Sequence, residues 1–363
     1  MYKDKKVFIT GHTGFKGSWL CAVLCYLGAE VTGFSLRPEI EPNLFGLAGI
    51  EKDVKSVYGD IRDLKALNQV VNDSEAEIVF HMAAQPLVRE SYVNPRSTYD
   101  VNVMGTVNLL EAVRNCASVR SVVNVTTDKV YQNTEHRGGY VEDDRLDGYD
   151  PYANSKSCSE LITASYRRSF FFEQVQTERK VAISTARAGN VIGGGDFAKD
   201  RIIPDCARTA LGMNSNKNII IRNPNSIRPY QHVLEPLFAY LQIAIRQYQD
   251  ISYSGAYNIG PKEEDCITTK ELVEMFCKEW QDGLSWEVQQ DETENQQKHE
   301  ANFLKLNSRK VRETLGYEPR WNIKKAIEKT AEWYKCYSQN GDNRQCMEKQ
   351  IKDFIQDNHK EKI

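Results

Sequence analysis

The chain predicts an α/β fold in which a doubly wound parallel sheet is followed by a smaller, partly discontinuous C-terminal part. Two observations support this fold class. In the first half, short apolar runs alternate with segments of helical spacing, which is the pattern of βαβ units in a sheet covered on both faces. After Arg187 the chain changes to Gly-, Asn- and Pro-rich segments, before one more helix and one more strand.

The predicted elements follow in chain order. Strands are expected at residues 7–10, 30–34, 54–58, 78–81, 121–125, 181–185 and 256–259. Helices are expected at residues 18–27, 64–71, 101–115, 152–170 and 235–247, with a mostly helical chain from residue 268 onward. The charged, Gln-rich stretch 289–298 is expected to be a mobile surface loop.

Composition excludes several function classes. With 47 basic and 50 acidic residues the net charge is -3, which argues against a nucleic-acid partner. No apolar run is long enough to span a bilayer, and residues 1–10 lack a signal-peptide pattern. The nine cysteines form no C-x-x-C pair, so we expect reduced thiols in a cytoplasmic protein. No cluster of His, Cys and Asp residues has the spacing of metal ligands in the sequence, so no metal is expected.

A glycine-rich loop follows the first strand and opens a helix. We expect Gly11 to allow the tight turn, Gly14 to let the backbone approach a pyrophosphate, and Gly17 to let helix and strand pack closely. The helix N-terminus supplies N–H donors for the anion. The loop therefore predicts a dinucleotide-binding Rossmann domain at residues 1–186, to which residues 233–260 return. Residues 187–232 and 261–363 then form a second domain over the carboxyl edge of the sheet.

The residues alone leave the dinucleotide open between NAD and NADP. Ser35 stands at the end of the second strand, where an acidic residue would bind the ribose hydroxyls of NAD. Arg37 either accepts a 2′-phosphate or is a solvated loop residue. Asp60 and Ile61 follow the third strand and are placed to meet the adenine ring, although Asp60 equally fits a turn-capping role.

Tyr152 and Lys156 lie four residues apart, on one face of a predicted helix. A tyrosine is a poor base because its reference pKa is about 10. A nearby ammonium group and a positively charged nicotinamide ring would lower that pKa. The phenolate would then take a proton from a substrate hydroxyl while hydride leaves for the cofactor. Behind a glycine loop, the pair predicts a nicotinamide-dependent enzyme.

These features together resemble the extended short-chain dehydrogenase/reductase family, over nearly the whole chain. The resemblance rests on the glycine loop, the strand end His81-Met82-Ala83-Ala84, Asn102, and the Tyr152–Lys156 pair. Within that family, the run from Thr126 to Tyr131 looks like the signature of the nucleotide-sugar 4,6-dehydratases. Siblings that act on dTDP-glucose carry Asp-Glu where this chain has Asp128-Lys129, a pair that is similar to the subgroup acting on CDP-glucose. Three further segments look like that subgroup: residues 11–20, 186–196 and 228–233.

The resemblance implies a reaction and roles for five residues. Tyr152, assisted by Lys156, would deprotonate the C4 hydroxyl of the sugar, with Thr127 hydrogen-bonded to the same oxygen. Asp128 would protonate the departing C6 hydroxyl, and Lys129 stands in the place of the C5 base. A lysine is a base only when it is neutral. Which residues give and take protons during the elimination therefore stays open. The product would be a 4-keto-6-deoxy sugar, made for deoxysugar biosynthesis such as that of the lipopolysaccharide O-antigen.

The resemblance also implies binding residues and an assembly. Cofactor contacts are expected from Gly11, Thr13, Gly14, Phe15, Gly17, Ser35, Arg37, Asp60, Ile61, Ala83, Ala84, Asn102, Tyr152 and Lys156. Contacts to the nucleotide sugar CDP-glucose are expected from Gln85, Asn190, Arg201, Arg228, His232 and His299. The resemblance favours tightly associated NAD, with NADP as the alternative. Residues 101–115 and 152–170 correspond to elements that pair subunits, which implies a homodimer or a dimer of dimers.

Two other functions compete with dehydration. A nucleotide-sugar 4-epimerase of the same family also oxidises C4, but it has no need of an acid at C6, so Asp128-Lys129 speaks against it. A non-catalytic dinucleotide-binding regulator would keep the fold without the chemistry. The presence of Thr127, Tyr152 and Lys156 speaks against that second alternative.

Overall fold

The computed structural model describes residues 1–136, 138–171, 180–289 and 303–360. Its strands are β1 Lys6–Thr10, β2 Glu30–Ser35, β3 Lys55–Tyr58, β4 Ile78–His81, β5 Ser121–Val125, β6 Ala182–Ala188, β7 Val191–Ile192, β8 Ile219–Ile221, β9 Ile227–Pro229, β10 Gln231–His232, β11 Ala256–Ile259, β12 Cys266–Thr268 and β13 Trp286–Val288. Its α-helices are α1 Phe15–Tyr26, α2 Leu44–Leu47, α3 Leu64–Asp73, α4 Val88–Val93, α5 Pro95–Tyr99, α6 Gly105–Asn115, α7 Pro151–Tyr166, α8 Ile202–Ala210, α9 Leu234–Gln249, α10 Thr269–Trp280, α11 Arg309–Leu315, α12 Ile323–Ser338 and α13 Asn343–Lys360.

Seven of the strands form one sheet in the order β11-β6-β5-β4-β1-β2-β3. Every neighbouring pair in this sheet is parallel. Strand order reverses direction between β1 and β4, which is the doubly wound arrangement that the alternating pattern predicts. The predicted fold class is therefore confirmed, including the return of β11 to the sheet beside β6.

Both faces of the sheet are buried. Along β1, Val7 and Ile9 join one apolar cluster and Phe8 joins the other, because successive side chains of a strand point to opposite faces. The first cluster also takes residues of α1, α9 and α13, and the second takes residues of α3 and α6. Burial on both sides explains why the strands read as continuous apolar runs.

Helix α13 packs back on the first helix of the chain. Met347, Ile351 and Phe354 belong to the same buried cluster as Trp19 of α1, and the two helices are in contact. The segment before α12 is tied to α9 by the Glu235 carboxylate, which accepts hydrogen bonds from the backbone N–H groups of residues 320 and 321 at 2.9 and 2.6 Å. In the part of the chain that the structure describes, no helix combines the length and apolarity that a membrane crossing requires.

The predicted helix at residues 101–115 is wrong in its start and in its continuity. The structure has α5 at Pro95–Tyr99, a π-helical turn at Asp100–Met104, and then α6. Proline at the first position of α5 suits a helix start, and it moves that start six residues upstream of Val101. Short strands such as β8 and β13, which pair with each other, were not predicted either. The loop expected at residues 289–298 lies, apart from Gln289, outside the described residues.

Candidate active site

The glycine loop lies between the ends of β1 and β4. Gly11 has φ +75°, and a Cβ atom there would lie 2.7 Å from the backbone N of Ala83. A Cβ atom on Gly17 would lie 2.2 Å from the carbonyl oxygen of Gly11, so only glycine fits at either position. Gly14 is the exposed N-cap of α1 and makes no side-chain cap. Phe15 begins the helix, whose first N–H groups thus remain available to an anion.

Polar side chains connect this loop to the end of β2. The Ser35 hydroxyl lies 2.8 Å from the Thr13 hydroxyl and 3.2 Å from His12 Nδ1. His12 Nε2 lies 3.1 Å from the Ser56 hydroxyl. Burial lowers the pKa of His12 to about 4, so the ring is neutral at pH 7 and serves as a hydrogen-bonding bridge. Arg37 is exposed and stacks its guanidinium 4.0 Å above the Tyr58 ring.

Asp60 and Ile61, which are expected to meet an adenine ring, both have contacts within the protein. The Asp60 carboxylate accepts hydrogen bonds from the backbone N–H of Arg62 at 2.9 Å and from its Nε at 3.0 Å. The Arg62 side chain thereby lowers the pKa of Asp60. Ile61 is buried in the core, where its Cγ2 would lie 2.7 Å from a Cβ atom on Gly105. Asp60 thus caps this turn and Ile61 packs in the core, and their contact with the adenine ring stays a prediction.

The loop after β4 is held by its own side chains. The Thr10 hydroxyl accepts a hydrogen bond from Ala83 N at 3.2 Å, and Ala84 is half-buried beside it. Asn102 accepts from Gln85 N at 2.8 Å and donates to the Ser155 hydroxyl at 2.9 Å. Gln85 donates its amide N–H groups to Leu87 O at 3.2 Å and to Thr98 at 2.9 Å. Gln85 and Asn102 thus hold this loop in place, and their contacts with the sugar and the cofactor stay predictions.

Thr127, Tyr152 and Lys156 converge where β5 ends. The Tyr152 hydroxyl is hydrogen-bonded to Thr127, and burial nevertheless raises the pKa of Tyr152 to about 12. Lys156 is buried and donates to the carbonyl oxygen of Val125 at 3.2 Å. Desolvation lowers the pKa of Lys156 to about 8, against the opposing effect of Glu160. Without a cofactor, the protein does not lower the pKa of Tyr152 as the sequence predicts. The reason is that desolvation outweighs the neighbouring hydrogen bond and charges.

Asp128 and Lys129 follow Thr127 directly in a 3-10 turn, Asp128–Val130. Asp128 is buried, and its Oδ1 accepts a hydrogen bond from the Thr127 hydroxyl at 3.0 Å. Its Oδ2 is buried without a hydrogen-bond partner among the described residues. Desolvation raises the pKa of Asp128, opposed by the charges of Lys129 and Arg228. The carboxyl group thus has the environment that favours its protonated form, while Lys129 is half-buried at the edge.

Two of the predicted arginines reach this region. The guanidinium of Arg201 lies 3.1 Å from Asp196 Oδ2 and interacts electrostatically with Tyr152. Arg228 is buried in β9 and interacts with Asp128. Asn190 is half-buried, and its backbone carbonyl accepts from Gln231 N at 3.0 Å. These residues come from the segment between β6 and α9, so that segment covers the carboxyl edge of the sheet.

His232 does not reach the site, and its predicted substrate contact is corrected. Its ring is completely buried, with ring centroids 5.9 Å from Trp19 and 4.9 Å from Trp321. Its Nδ1 accepts from Leu234 N at 3.3 Å, and burial lowers its pKa to about 3. An uncharged histidine between two tryptophans is a packing residue. His299 lies outside the described residues.

Residues 8–330 match the model of a family described as GDP-mannose 4,6 dehydratase. The chain therefore belongs to the GDP-mannose 4,6-dehydratase family. A CDP-glucose 4,6-dehydratase from Salmonella typhimurium is 44% identical over 98% of this chain and 97% of its own length. Among solved structures, a UDP-glucose-4-epimerase from Stenotrophomonas maltophila has a TM-score of 0.78 at 20% identity, over 93% of this chain and 100% of its own. A dTDP-glucose 4,6-dehydratase from Bacillus anthracis has a TM-score of 0.73 at 20% identity, over 93% and 98%. At such identities the structural likeness concerns the fold.

In this member of the 4,6-dehydratase family, the sequence reasoning missed two residues beside the catalytic group. Lys16 Nζ lies 3.2 Å from the hydroxyl of Tyr240, and both side chains interact electrostatically with Asp128. In the sequence, Lys16 is one of the residues between Gly14 and Gly17 that the glycine pattern leaves unspecified. Tyr240 lies on α9, far away along the sequence, where its apolar neighbours suggest packing only. No signal in the sequence joins the two residues.

Proposed function

We propose that the protein is a CDP-glucose 4,6-dehydratase, which converts CDP-glucose to CDP-4-keto-6-deoxyglucose with release of water. The observation that carries the proposal is the buried Asp128 carboxyl, whose Oδ1 accepts a hydrogen bond from Thr127. Thr127 is also hydrogen-bonded to Tyr152. This places a protonatable acid beside a base for a sugar hydroxyl. The relative from Salmonella typhimurium, named for this reaction, supports the choice of CDP-glucose.

The glycine loop fits a dinucleotide, and we propose NAD. A Cβ atom at Gly11 or Gly17 would collide with the backbone, and the exposed start of α1 at Gly14 offers N–H donors to a diphosphate. Ser35 at the end of β2 and Thr13 in the glycine loop lie 2.8 Å apart, and both hydroxyls suit contacts with ribose hydroxyls. NAD supplies a hydride acceptor and donor. Arg37 is engaged with Tyr58, and selective loss of NADP binding in Arg37→Ala would instead favour NADP.

The first proton transfer takes place at C4 of the sugar. Tyr152 Oη takes the proton of the C4 hydroxyl, while Thr127 Oγ1 holds the same oxygen. The buried Lys156 ammonium provides a positive charge that favours the phenolate. Because burial raises the pKa of Tyr152 to about 12 without ligands, the phenolate depends on positive charge that arrives with the cofactor.

The elimination of water uses the next two residues. A ketone at C4 makes the C5 proton acidic, and Lys129 stands in the sequence where it can take that proton when neutral. Asp128 gives a proton to the departing C6 hydroxyl, which requires the carboxyl to be protonated beforehand. Its burial and raised pKa supply that requirement. Water then leaves, and the C5=C6 bond accepts hydride at C6 and a proton at C5.

We propose that Arg201, Arg228 and Asn190 hold the substrate diphosphate and nucleotide. A guanidinium binds a diphosphate with two parallel N–H bonds, and both arginines come from the segment that covers the sheet edge. This supports the division into a dinucleotide-binding domain (1–186, with 233–260) and a nucleotide-sugar domain (187–232 and 261–363). Residues of α6 and α7 are proposed to pair subunits into a homodimer or a dimer of dimers, in the cytoplasm, where the nine free cysteines would remain reduced.

Incubation of the purified protein with CDP-, dTDP-, UDP- and GDP-linked hexoses tests the proposal. We expect CDP-glucose to give a 4-keto-6-deoxy product, which absorbs in strong alkali. A 4-epimerase would instead give a C4 epimer without that absorbance, and a regulator would give neither. If only another nucleotide-glucose gave the keto product, that compound and not CDP-glucose would be the substrate. Failure with all of them would refute dehydration.

A further inference from the structure

The Asp200 ion cluster, formed by Arg89, Asp200 and Arg222, joins the helix after β4 to the segment that covers the carboxyl edge of the sheet. Arg89 of α4 places its Nη1 2.9 Å from Oδ1 of Asp200. Nη2 of Arg222, which follows β8, lies 3.4 Å from the same oxygen. The three residues come from separate parts of the chain, so the cluster forms only in the folded protein.

The turn at Asp200 leads directly into α8. Asp200 has φ +62°, and among residues other than glycine this left-handed region is enriched in aspartate and asparagine. The next residue, Arg201, returns to extended backbone and is the N-cap of α8. Its carbonyl oxygen accepts a hydrogen bond from Asp205 N at 2.9 Å. The turn therefore determines where α8 begins and in which direction the Arg201 side chain leaves the backbone.

Of the residues in this turn, Arg201 reaches the catalytic groups. Its guanidinium pairs with Asp196 at 3.1 Å and interacts electrostatically with Tyr152. The side chains of Arg89 and Asp200, by contrast, are 57% and 44% exposed. An exposed ion pair contributes little to the overall stability of a fold. We therefore expect this pair to act on the local position of the turn.

We propose that the Asp200 ion cluster positions Arg201 for the diphosphate of the nucleotide sugar. The inference rests on the proposed function, in which Arg201 binds that diphosphate. Arg89 acts through Asp200 and is a positioning residue, without a substrate contact of its own. Because α4 follows the loop that carries Gln85, the cluster also ties α8 to that loop.

Two substitutions distinguish positioning from simple charge attraction. If only the long-range charges mattered, Arg89 would attract a diphosphate and Asp200 would repel it, so Asp200→Asn would tighten binding. If the cluster positions Arg201, Arg89→Met and Asp200→Asn both weaken binding. Asparagine also suits the left-handed backbone, so Asp200→Asn removes the charge and keeps the turn.

Calorimetric titration with CDP measures this affinity, with excess NADH present to occupy the dinucleotide loop. At low salt, Arg89→Met and Asp200→Asn should each raise the dissociation constant of CDP by about two- to fivefold, the range of an exposed ion pair. The double variant should bind no more weakly than Asp200→Asn, because both changes break the same contact. Arg89→Lys keeps the charge and should bind CDP nearly as the wild type does. At about 1 M salt the differences should disappear through screening.

Kinetics and hydrogen exchange add readouts that a general loss of structure would not give. With CDP-glucose, Arg89→Met should raise KM by the same factor and leave kcat nearly unchanged. Amide hydrogen exchange in Arg89→Met should become faster within residues 198–206 and stay unchanged in β5. The matched control is Arg309→Met, which breaks the exposed pair with Glu313 on α11 and should change none of these quantities.

Three results would overturn the inference. Tighter CDP binding in Asp200→Asn would reduce the cluster to long-range attraction. Additive losses in the double variant would give Arg89 a substrate contact of its own. An unchanged exchange rate within residues 198–206 of Arg89→Met would show that the cluster does not hold the turn.

The dehydratase assay separates this inference from the proposed function. Keto product from CDP-glucose, together with wild-type CDP affinity in Arg89→Met, refutes only the role of the cluster. A CDP affinity that depends on Arg89, without keto product, refutes only the proposed reaction. Failure of the wild-type protein to bind CDP refutes both.

Discussion

Glu160→Gln removes one charge from a buried ion pair that supports the catalytic lysine. Glu160 Oε2 lies 2.8 Å from Arg187 Nη2, with side chains 2% and 3% exposed. The carboxylate also accepts from the hydroxyls of Thr126 and Thr185. Glutamine keeps the shape: its amide oxygen, in place of Oε2, can still accept from Thr185, and its amide nitrogen, in place of Oε1, can donate to the Thr126 hydroxyl. The main change is therefore the loss of charge.

The expected cost follows from the charge that is left behind. Arg187 would remain buried, with bonds only to neutral groups such as the Tyr131 hydroxyl at 2.6 Å. Breaking a buried pair from one side costs about 3–5 kcal/mol, or roughly a hundred- to several-thousandfold in the folding equilibrium. Glu160 also raises the pKa of Lys156. Without this carboxylate, Lys156 should lose its charge at lower pH. The alkaline limb of the pH–rate profile should therefore shift to lower pH.

Urea unfolding followed by circular dichroism measures the free energy of unfolding, with a double-mutant cycle as the control. Arg187→Met alone should also destabilise. The double variant should cost at least about 1 kcal/mol less than the sum of the two single variants. Glu313→Gln, which breaks the exposed pair with Arg309, should cost no more than about 1 kcal/mol. Additive costs, or a loss in Glu160→Gln no larger than in Glu313→Gln, would refute the reasoning.

Four further predictions concern the catalytic groups and the loop. Tyr152→Phe should lower turnover by about 10²–10⁴-fold while NADH titration shows nearly unchanged binding; unchanged turnover would remove its assigned role. Lys129→Ala should oxidise C4 without exchanging the C5 hydrogen with solvent, as read by mass spectrometry in D₂O, and a wild-type product yield would exclude it from elimination. Elimination should slow as pH rises through the raised pKa of Asp128, and Asp128→Asn should lose that limb of the pH–rate profile; an identical profile would contradict its role as the acid. Gly17→Ala places a Cβ atom 2.2 Å from the Gly11 carbonyl oxygen, so dinucleotide binding should be lost with the circular dichroism retained, and normal binding would show that the loop adapts.

The sheet could be predicted from the sequence because burial on both faces leaves a readable pattern. Val7, Phe8 and Ile9 are all buried, so β1 reads as a continuous apolar run that ends at the glycine loop. The helix over residues 101–115 was harder to predict, because the π-helical turn at Asp100–Met104 has no periodicity of its own. Strands of two or three residues, such as β7 and β10, are shorter than any hydrophobic period. β7 and β10 form only because the folded chain brings them together as a pair.

The site could be predicted where its residues are neighbours in sequence. Thr127 and Asp128 are adjacent, and Tyr152 and Lys156 share one helical turn, so spacing alone brings each pair together. His232 was assigned to the substrate from the motif around it, yet Trp19 and Trp321 bury it from distant parts of the chain. Lys16 could not be predicted for the same reason: its partner Tyr240 is distant in sequence, and only the folded chain brings the two together.

The packing of α13 against α1 has a consequence for how the protein is made. Trp19 lies in an apolar cluster that is completed by Ile351 and Phe354, which a ribosome adds almost a whole chain length later. The nascent chain can pair its early strands, but one layer over them stays open to solvent until α13 emerges. Exposed apolar surface of this kind is prone to aggregation. Final folding of the dinucleotide-binding half should therefore wait until α13 has been synthesised, and a chaperone that shields the α1 layer would raise the yield.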